Sequence, residues 1–173
     1  MITKKVVLVG DFATGKTSLI RRYVENAFSD EYLTTIGVKI SRKTILLQEK
    51  KVRLEIQLML WDIEGNTNPK PTNPAYIMGA HGLVLVADVT RESSIQNIGM
   101  HIEECRNVAK NAPIILALNK SDLIENKKQL EELTKELKER HKEIETIYLT
   151  SAKDGRNVES IFLDLSHLII TKR

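Results

Sequence analysis

One stretch near the start of this 173-residue chain limits what the rest can become: Gly10-Asp11-Phe12-Ala13-Thr14-Gly15-Lys16-Thr17. It fits the spacing G-x-x-x-x-G-K-S/T. The apolar run Val6–Val9 before it reads as a buried strand, and Leu19, Ile20, Tyr23 and Val24 after it recur at helical spacing. Strand, glycine-rich loop and helix in that order are the context in which this spacing makes a phosphate-binding loop. Glycines let the backbone turn tightly and aim successive N–H groups inward as an anion nest. The helix starting near Lys16 adds the positive end of its dipole. Lys16 supplies a point charge for outer phosphates, and the Thr17 hydroxyl is a ligand type suited to Mg²⁺. A chance match arises in about one chain of this length in a hundred, before its flanks are considered.

A chain of this length suits one domain, here residues 1–173, with a full core. Hydrophobic residues make up 42% and charged residues 28%, an ordinary balance for a globular protein. The net charge of +3 comes from interspersed lysines and glutamates and defines no nucleic-acid surface. Cys105 is the single cysteine, so no internal disulfide forms. It falls in register with Ile98, Ile102 and Val108, which points to a buried helix position rather than a reactive thiol. The four histidines show no metal-ligand spacing. No signal peptide and no run of transmembrane length is visible, which leads us to expect a cytoplasmic protein, most simply a monomer.

Strands and helices alternate along the chain. Strands are expected over Lys4–Val9, Leu83–Ala87, Ile114–Leu118 and Ile147–Leu149. Val38–Leu47 and Val52–Trp61 read as an antiparallel hairpin across the turn Gln48-Glu49-Lys50-Lys51. Lys16–Asn26 reads as a helix and Ala27–Ile36 as a loop. Asn66–Asn73 carries Pro69 and Pro71, with Pro74 next, and should be irregular. Ser93-x-x-Gln96 reads as a capping box opening one helix whose stripe is Ile95, Ile98, Ile102, Cys105 and Val108. Leu130, Leu133 and Leu137 stripe a further helix, and Val158, Ile161, Phe162, Leu165, Leu168 and Ile169 the last. Such alternation implies an α/β fold: an open, mostly parallel sheet with helices on both faces. Ligands of these sheets sit beyond the carboxyl ends of the strands, so polar motifs should follow strands.

They do. After Val52–Trp61 comes Asp62-Ile63-Glu64-Gly65. Asp62 can support Mg²⁺ as a Walker-B-type residue, and Gly65 lets a backbone N–H approach a terminal phosphate. After Ile114–Leu118 comes Asn119-Lys120-Ser121-Asp122. The Asp122 carboxylate can accept from the N1–H and exocyclic amine of guanine. Adenine lacks that donor pair, and an unpaired acceptor would penalise it. Asn119 can tie this loop to the phosphate loop, and the Lys120 stem can lie against the base. After the last strand, Ser151-Ala152-Lys153 places the Ala152 N–H where it could meet guanine O6. Each of the later motifs alone is a common turn or cap; only the set is informative.

The order of phosphate loop, Thr35, D-x-x-G, N-K-x-D and S-A-K resembles the Ras-like small GTPases, and the resemblance runs over nearly the whole chain. Thr34-Thr35-Ile36-Gly37-Val38, Trp61-Asp62, Gly79-Ala80-His81-Gly82 and Asp88-Val89-Thr90 look most like the Rab-type branch. The resemblance implies a Ras-like G domain of the P-loop NTPase class, with six strands and only the Val38–Leu47 strand antiparallel. It implies GTP/GDP and Mg²⁺ as ligands. The nucleotide would contact Asp11, Phe12, Ala13, Thr14, Gly15, Lys16, Thr17, Ser18, Phe28, Tyr32, Thr35, Gly65, Asn119, Lys120, Asp122, Ser151, Ala152 and Lys153. Thr17, Thr35 and Asp62 would serve the metal. Tyr32–Gly37 and Asp62–Tyr76 would be two switches read by protein effectors and regulators. Asn66, Lys16 and Gly65 would serve hydrolysis.

The chain departs from that pattern at Phe12, where family members carry a small residue, and at Asn66, where they carry a glutamine that orients the attacking water. Glu64 replaces a small alanine, and the three prolines interrupt the second switch. Lys39 and Ile40 stand where an acidic–aromatic pair is usual, so no known effector is assigned. The chain ends without a prenylation cysteine: either a longer tail has been removed or the protein does not anchor itself by lipid, and no lipid anchor is expected within this chain. The favoured reading is a guanine-nucleotide switch with slow GTP hydrolysis. A GTP-binding module that does not hydrolyse is the alternative. A P-loop metabolic kinase is the third, and N-K-x-D argues against its adenine donor.

Overall fold

The first strand shows how the fold is built. Val6 and Leu8 point to one side of the sheet and Val7 and Val9 to the other, and all four are buried. A strand apolar on both faces must be covered on both. The computed structural model describes residues 1–49, 51–65 and 71–172. Its strands are β1 (Ile2–Val9), β2 (Val38–Glu49), β3 (Val52–Ile63), β4 (Gly82–Asp88), β5 (Ile114–Asn119) and β6 (Ile144–Leu149). Its helices are α1 (Lys16–Glu25), α2 (Pro74–Ile77), α3 (Glu92–Gln96), α4 (Ile98–Val108), α5 (Lys127–Arg140) and α6 (Val158–Thr171).

The sheet order is β2-β3-β1-β4-β5-β6, and only the β2–β3 pair is antiparallel. Leu19, Ile20 and Tyr23 of α1 and Ile161, Phe162 and Leu165 of α6 pack on the face shown by Val6 and Leu8. Tyr23 stacks on Phe162 with ring centroids 4.2 Å apart. Ile77, Ile98, Ile102, Cys105 and Leu137 cover the other face. Each such side chain, fully buried, contributes on the order of 2 kcal/mol. Cys105 takes the buried helical place its register suggests, and burial pushes its thiol up to about 12. Among the described residues no helix is long and apolar enough to cross a membrane.

Three expectations are corrected. The hairpin turn is tighter than read: Gln48 and Glu49 continue β2, pairing with Arg53 and Val52. Gln48 and Arg53 are exposed polar residues, so pairing them extends the ladder without burying either side chain. The helix expected to open at Ser93 begins at Glu92, after the cap residue Arg91, and divides at Asn97 into α3 and α4. Ser93 is no cap; the neighbouring Ser94 hydroxyl instead accepts from the Asp88 N–H at 2.9 Å, closing the end of β4. The last strand starts at Ile144 rather than Ile147. Pro71–Asn73 is non-helical, and α2 has only four residues, with Pro74 at its start and the Asn73 side chain accepting from the Ala75 N–H. That fits a proline's missing donor, which is tolerated at a first turn. The expectation of irregular chain over Asn66–Lys70, and the catalytic reading of Asn66, lie outside the described residues.

Candidate functional site

β3 and β4 flank β1 on opposite sides, so the chain reverses direction across the sheet at β1, and the loop after β1 lies at that switch point. A cleft of about 370 Å³ opens there. Its walls bring together Phe12, Ala13, Gly15, Lys16, Thr17, Ser18, Phe28, Tyr32, Thr35, Gly65, Asn119, Lys120, Asp122, Ala152 and Lys153. Of the residues expected around a nucleotide, Asp11, Thr14 and Ser151 are the ones not on the wall. Each is buried behind it. Thr14 Oγ1 donates to the Asp11 carbonyl at 3.0 Å, and Ser151 Oγ accepts from the Asp154 N–H at 3.2 Å.

The loop is shaped by close approaches. Gly15 sits at φ +101°, and a Cβ there would lie 2.2 Å from Asn119 Nδ2. At Gly65 a Cβ would lie 2.6 Å from Phe12 Cα and 2.8 Å from Lys16 Nζ. Both glycines are required by contact rather than by flexibility alone. Lys16 is 5% exposed and donates to the carbonyls of Gly10 and Asp11, each at 2.9 Å. Burial lowers its pKa to about 8, against the opposing pull of Asp62 and Asp11. A desolvated cation at the mouth of a helix is a strong site for an anion.

Behind the loop, three consecutive carbonyls are each held by a different side chain. Arg91 Nη2 donates to Phe12 O at 2.6 Å, Lys120 Nζ to Ala13 O at 2.8 Å, and Asn119 Nδ2 to Thr14 O at 2.9 Å. Arg91 and Lys120 also share Asp88 Oδ2, at 3.2 and 2.6 Å. Burial alone would raise the Asp88 pKa; the hydrogen bonds from Lys120 and Thr90 outweigh it and hold the carboxyl below its ordinary value. Asn119 Oδ1 accepts from Thr150 Oγ1 at 3.2 Å, which joins this wall to the end of β6. On the same side Arg22 of α1 donates to the carbonyls of Ala152, at 2.8 Å, and Lys153, at 2.5 Å.

At the other end, Thr17 Oγ1 donates to Asp62 Oδ2 at 2.6 Å and lies 2.8 Å from Thr35 Oγ1. Asp62 is 2% exposed and its Oδ1 has no hydrogen-bond partner. Burial raises its pKa despite the Thr17 bond. One carboxylate and two hydroxyls, with a buried carboxylate oxygen unpaired, form an all-oxygen set that fits a hard divalent cation. Nearby, the Phe12 and Tyr32 rings meet edge to face with centroids 5.0 Å apart. Glu64 bridges the two loops: its N–H donates to Gly37 O at 2.8 Å, and its carboxylate accepts from the Gly37 N–H at 3.2 Å.

Motif spacing located the walls. It missed Arg91, Asp88, Asn97 and His101, which hold the loop from behind. The only signal for them was Asp88-Val89-Thr90, noticed as a resemblance rather than as chemistry.

With fold and cleft in view, comparison with known proteins is direct. The Ras family model matches residues 5–171. The chain belongs to that family, and it lies on the Rab-type side of these small GTPases. The GTP-binding protein ypt1 of Schizosaccharomyces pombe is 34% identical over 166 residues, covering 95% of this chain and 79% of the relative. Ras-related protein Rab-13 of Canis lupus familiaris is 33% identical over 169 residues, covering 97% and 80%. Ras-related protein RAB1BV of Beta vulgaris is 34% identical over 163 residues, covering 94% and 74%.

Proposed function

We propose that this chain is a guanine-nucleotide switch that binds GTP and GDP with Mg²⁺ and hydrolyses GTP slowly. The observation that carries the base assignment is Asp122 on the cleft wall, in a loop whose neighbours Asn119 and Lys120 are bonded to the phosphate loop. A carboxylate in that place accepts two donors from guanine and leaves adenine with none to offer. The backbone N–H groups of the phosphate loop, with Lys16, hold the phosphates. Thr17 and Thr35 would hold Mg²⁺, with Asp62 supporting. Mg²⁺ held by these residues would supply positive charge to offset that of the phosphates. Release of Thr35 and Gly65 after hydrolysis would free the two switches for different partners.

Slow turnover follows from two side chains. Asn66 has the amide of a water-orienting glutamine on a stem one methylene shorter, and small misplacements of a nucleophile cost on the order of 10²-fold. Phe12 fills space that a partner's arginine would need in order to enter. Two measurements test the reading. In competition titration ATP should fail to displace GTP; equal displacement would refute the base assignment. In single-turnover hydrolysis Asn66→Gln and Phe12→Gly should each run faster than wild type. No change in either removes these residues as the brake. A complete lack of hydrolysis in all three favours the non-hydrolysing module.

A further inference from the structure

Asp11 puts a carboxylate at the start of a loop that collects phosphates, where its charge has the wrong sign. The side chain is only 12% exposed, and α4 takes it up from behind. Asn97 Nδ2 donates to Asp11 Oδ2 at 2.8 Å, and His101 Nε2 lies 2.7 Å from Oδ1. A carboxylate only accepts, so Nε2 carries the hydrogen in that contact. The other ring nitrogen, Nδ1, faces Glu104 Oε2 at 3.5 Å, and neither of those atoms has a hydrogen-bond partner. His101 itself is 4% exposed, and nothing in the chemistry assigned above uses it.

Asp11 is also the residue through which α4 reaches the cation of the site. Its carbonyl accepts from Lys16 Nζ at 2.9 Å, and its carboxylate favours the charged form of that ammonium. The remaining carbonyls of the loop are tied to Arg91, Lys120 and Asn119. His101 and Asn97 hold the side chain, rather than the backbone, of Asp11. The break between α3 and α4 falls at Asn97, which places its amide beside Asp11.

We propose that His101, assisted by Asn97, is a positioning residue for nucleotide binding. It draws the Asp11 carboxylate onto α4 with a donated hydrogen bond, leaving the inner face of the loop to N–H donors and Lys16. The ligand class served is a nucleoside di- or triphosphate. The inference rests on the nucleotide reading of the cleft but assigns a role to His101 and Asn97, which that reading does not use.

The test is release of fluorescently labelled GDP from the full chain, chased with excess unlabelled GDP. His101→Leu should speed release about tenfold, the scale expected of one uncompensated charge close to a phosphate site. His101→Gln keeps one donor and should stay within about threefold of wild type. The decisive arm is Asp11→Asn in the His101→Leu background. The amide carries no charge, so release should return toward the wild-type rate. A His101 that only fills space gives no such rescue. If His101→Leu does not fold, Asn97→Ala with and without Asp11→Asn asks the same question. Wild-type rates in His101→Leu, or failure of Asp11→Asn to rescue, overturn the proposal. A wild-type chain that binds no GDP at all sinks the nucleotide reading, and this one with it; binding that is intact but indifferent to His101 sinks this one alone.

Discussion

The two ends of the cleft are built differently. At the Asp122 end the wall is fastened by buried and half-buried side chains reaching across the sequence: Asn119 to Thr14, Lys120 to Ala13 and Asp88, Thr150 to Asn119, Arg22 to Ala152. At the Phe12 end the contacts between loops are looser, although the Thr17–Asp62 bond beneath them is part-buried. Tyr32 is 55% exposed against Phe12, and Glu64 is exposed where it meets Gly37. The first end follows the pattern the family resemblance implies, and the second carries the departures at Phe12 and Glu64. A wall of buried polar groups tolerates little change, because each lost partner strands another group away from water. Exposed contacts each contribute little and can be exchanged. The difference separates what the molecule must recognise from what it is free to time.

The strongest way to break this contrast is at Asp122. Asp122→Asn exchanges the carboxylate for an amide, which leaves one neutral acceptor where there were two charged ones and sets an N–H against a guanine donor. GDP and GTP affinity should fall by roughly 10³-fold, with xanthine nucleotides favoured in their place. Isothermal titration with the three nucleotides reads both effects. Unchanged affinity for GDP would mean that the fastened end of the cleft does not hold the base.

Lys16 lies between the two ends and yields a pH prediction. In the folded state its pKa is about 8, from an ordinary 10.5, because burial penalises the ammonium. Between those values the unfolded chain binds more protons than the folded one, so stability rises as pH climbs from about 8 to 10.5 and does not change on this account below 8. The full gain is on the order of 3 kcal/mol. Urea unfolding of nucleotide-free protein at a series of pH values should show it. Lys16→Met, which has no titrating group, should not. A flat profile in the wild type would mean that the site is wetter than its burial implies.

Much of this was readable from sequence, for identifiable reasons. Gly10–Thr17 and Asn119–Asp122 are legible because glycine conformations and a fixed order of polar groups leave few alternatives. The strands are legible because their apolar residues come in runs. His101 was invisible: its partner Asp11 is 90 positions away, and a histidine on a helix has no distinctive spacing. Arg91 was invisible for the same reason, since what it holds is a carbonyl, which every residue has. The capping box at Ser93 failed because a tertiary demand, closing β4 at Asp88, took the neighbouring Ser94 hydroxyl and the helix started earlier. Sequence shows what a local rule requires; it does not show which distant backbone atom needs a donor.

The smallest effect is also the sharpest probe of the looser end. Phe12 and Tyr32 meet edge to face, an arrangement contributing about 0.5–1.5 kcal/mol beyond the area it buries. Tyr32 is more than half exposed, which favours the lower end of that range. Both rings line the cleft, so losing their contact should speed nucleotide release a few-fold while leaving base preference alone. Phe12→Ala, Tyr32→Ala and the double variant form a cycle that isolates the contact from other effects of each residue. If the rings act together, the double variant releases nucleotide scarcely faster than either single one. If the effects multiply, the rings act independently and Phe12 exerts its influence through bulk alone. Arg91 adds a discriminating arm, because its bond to the Phe12 carbonyl fixes the peptide that carries the ring. Arg91→Ala should weaken the Phe12–Tyr32 coupling without altering the preference set by Asp122. A change in base preference instead would mean that the two ends of the cleft are mechanically one.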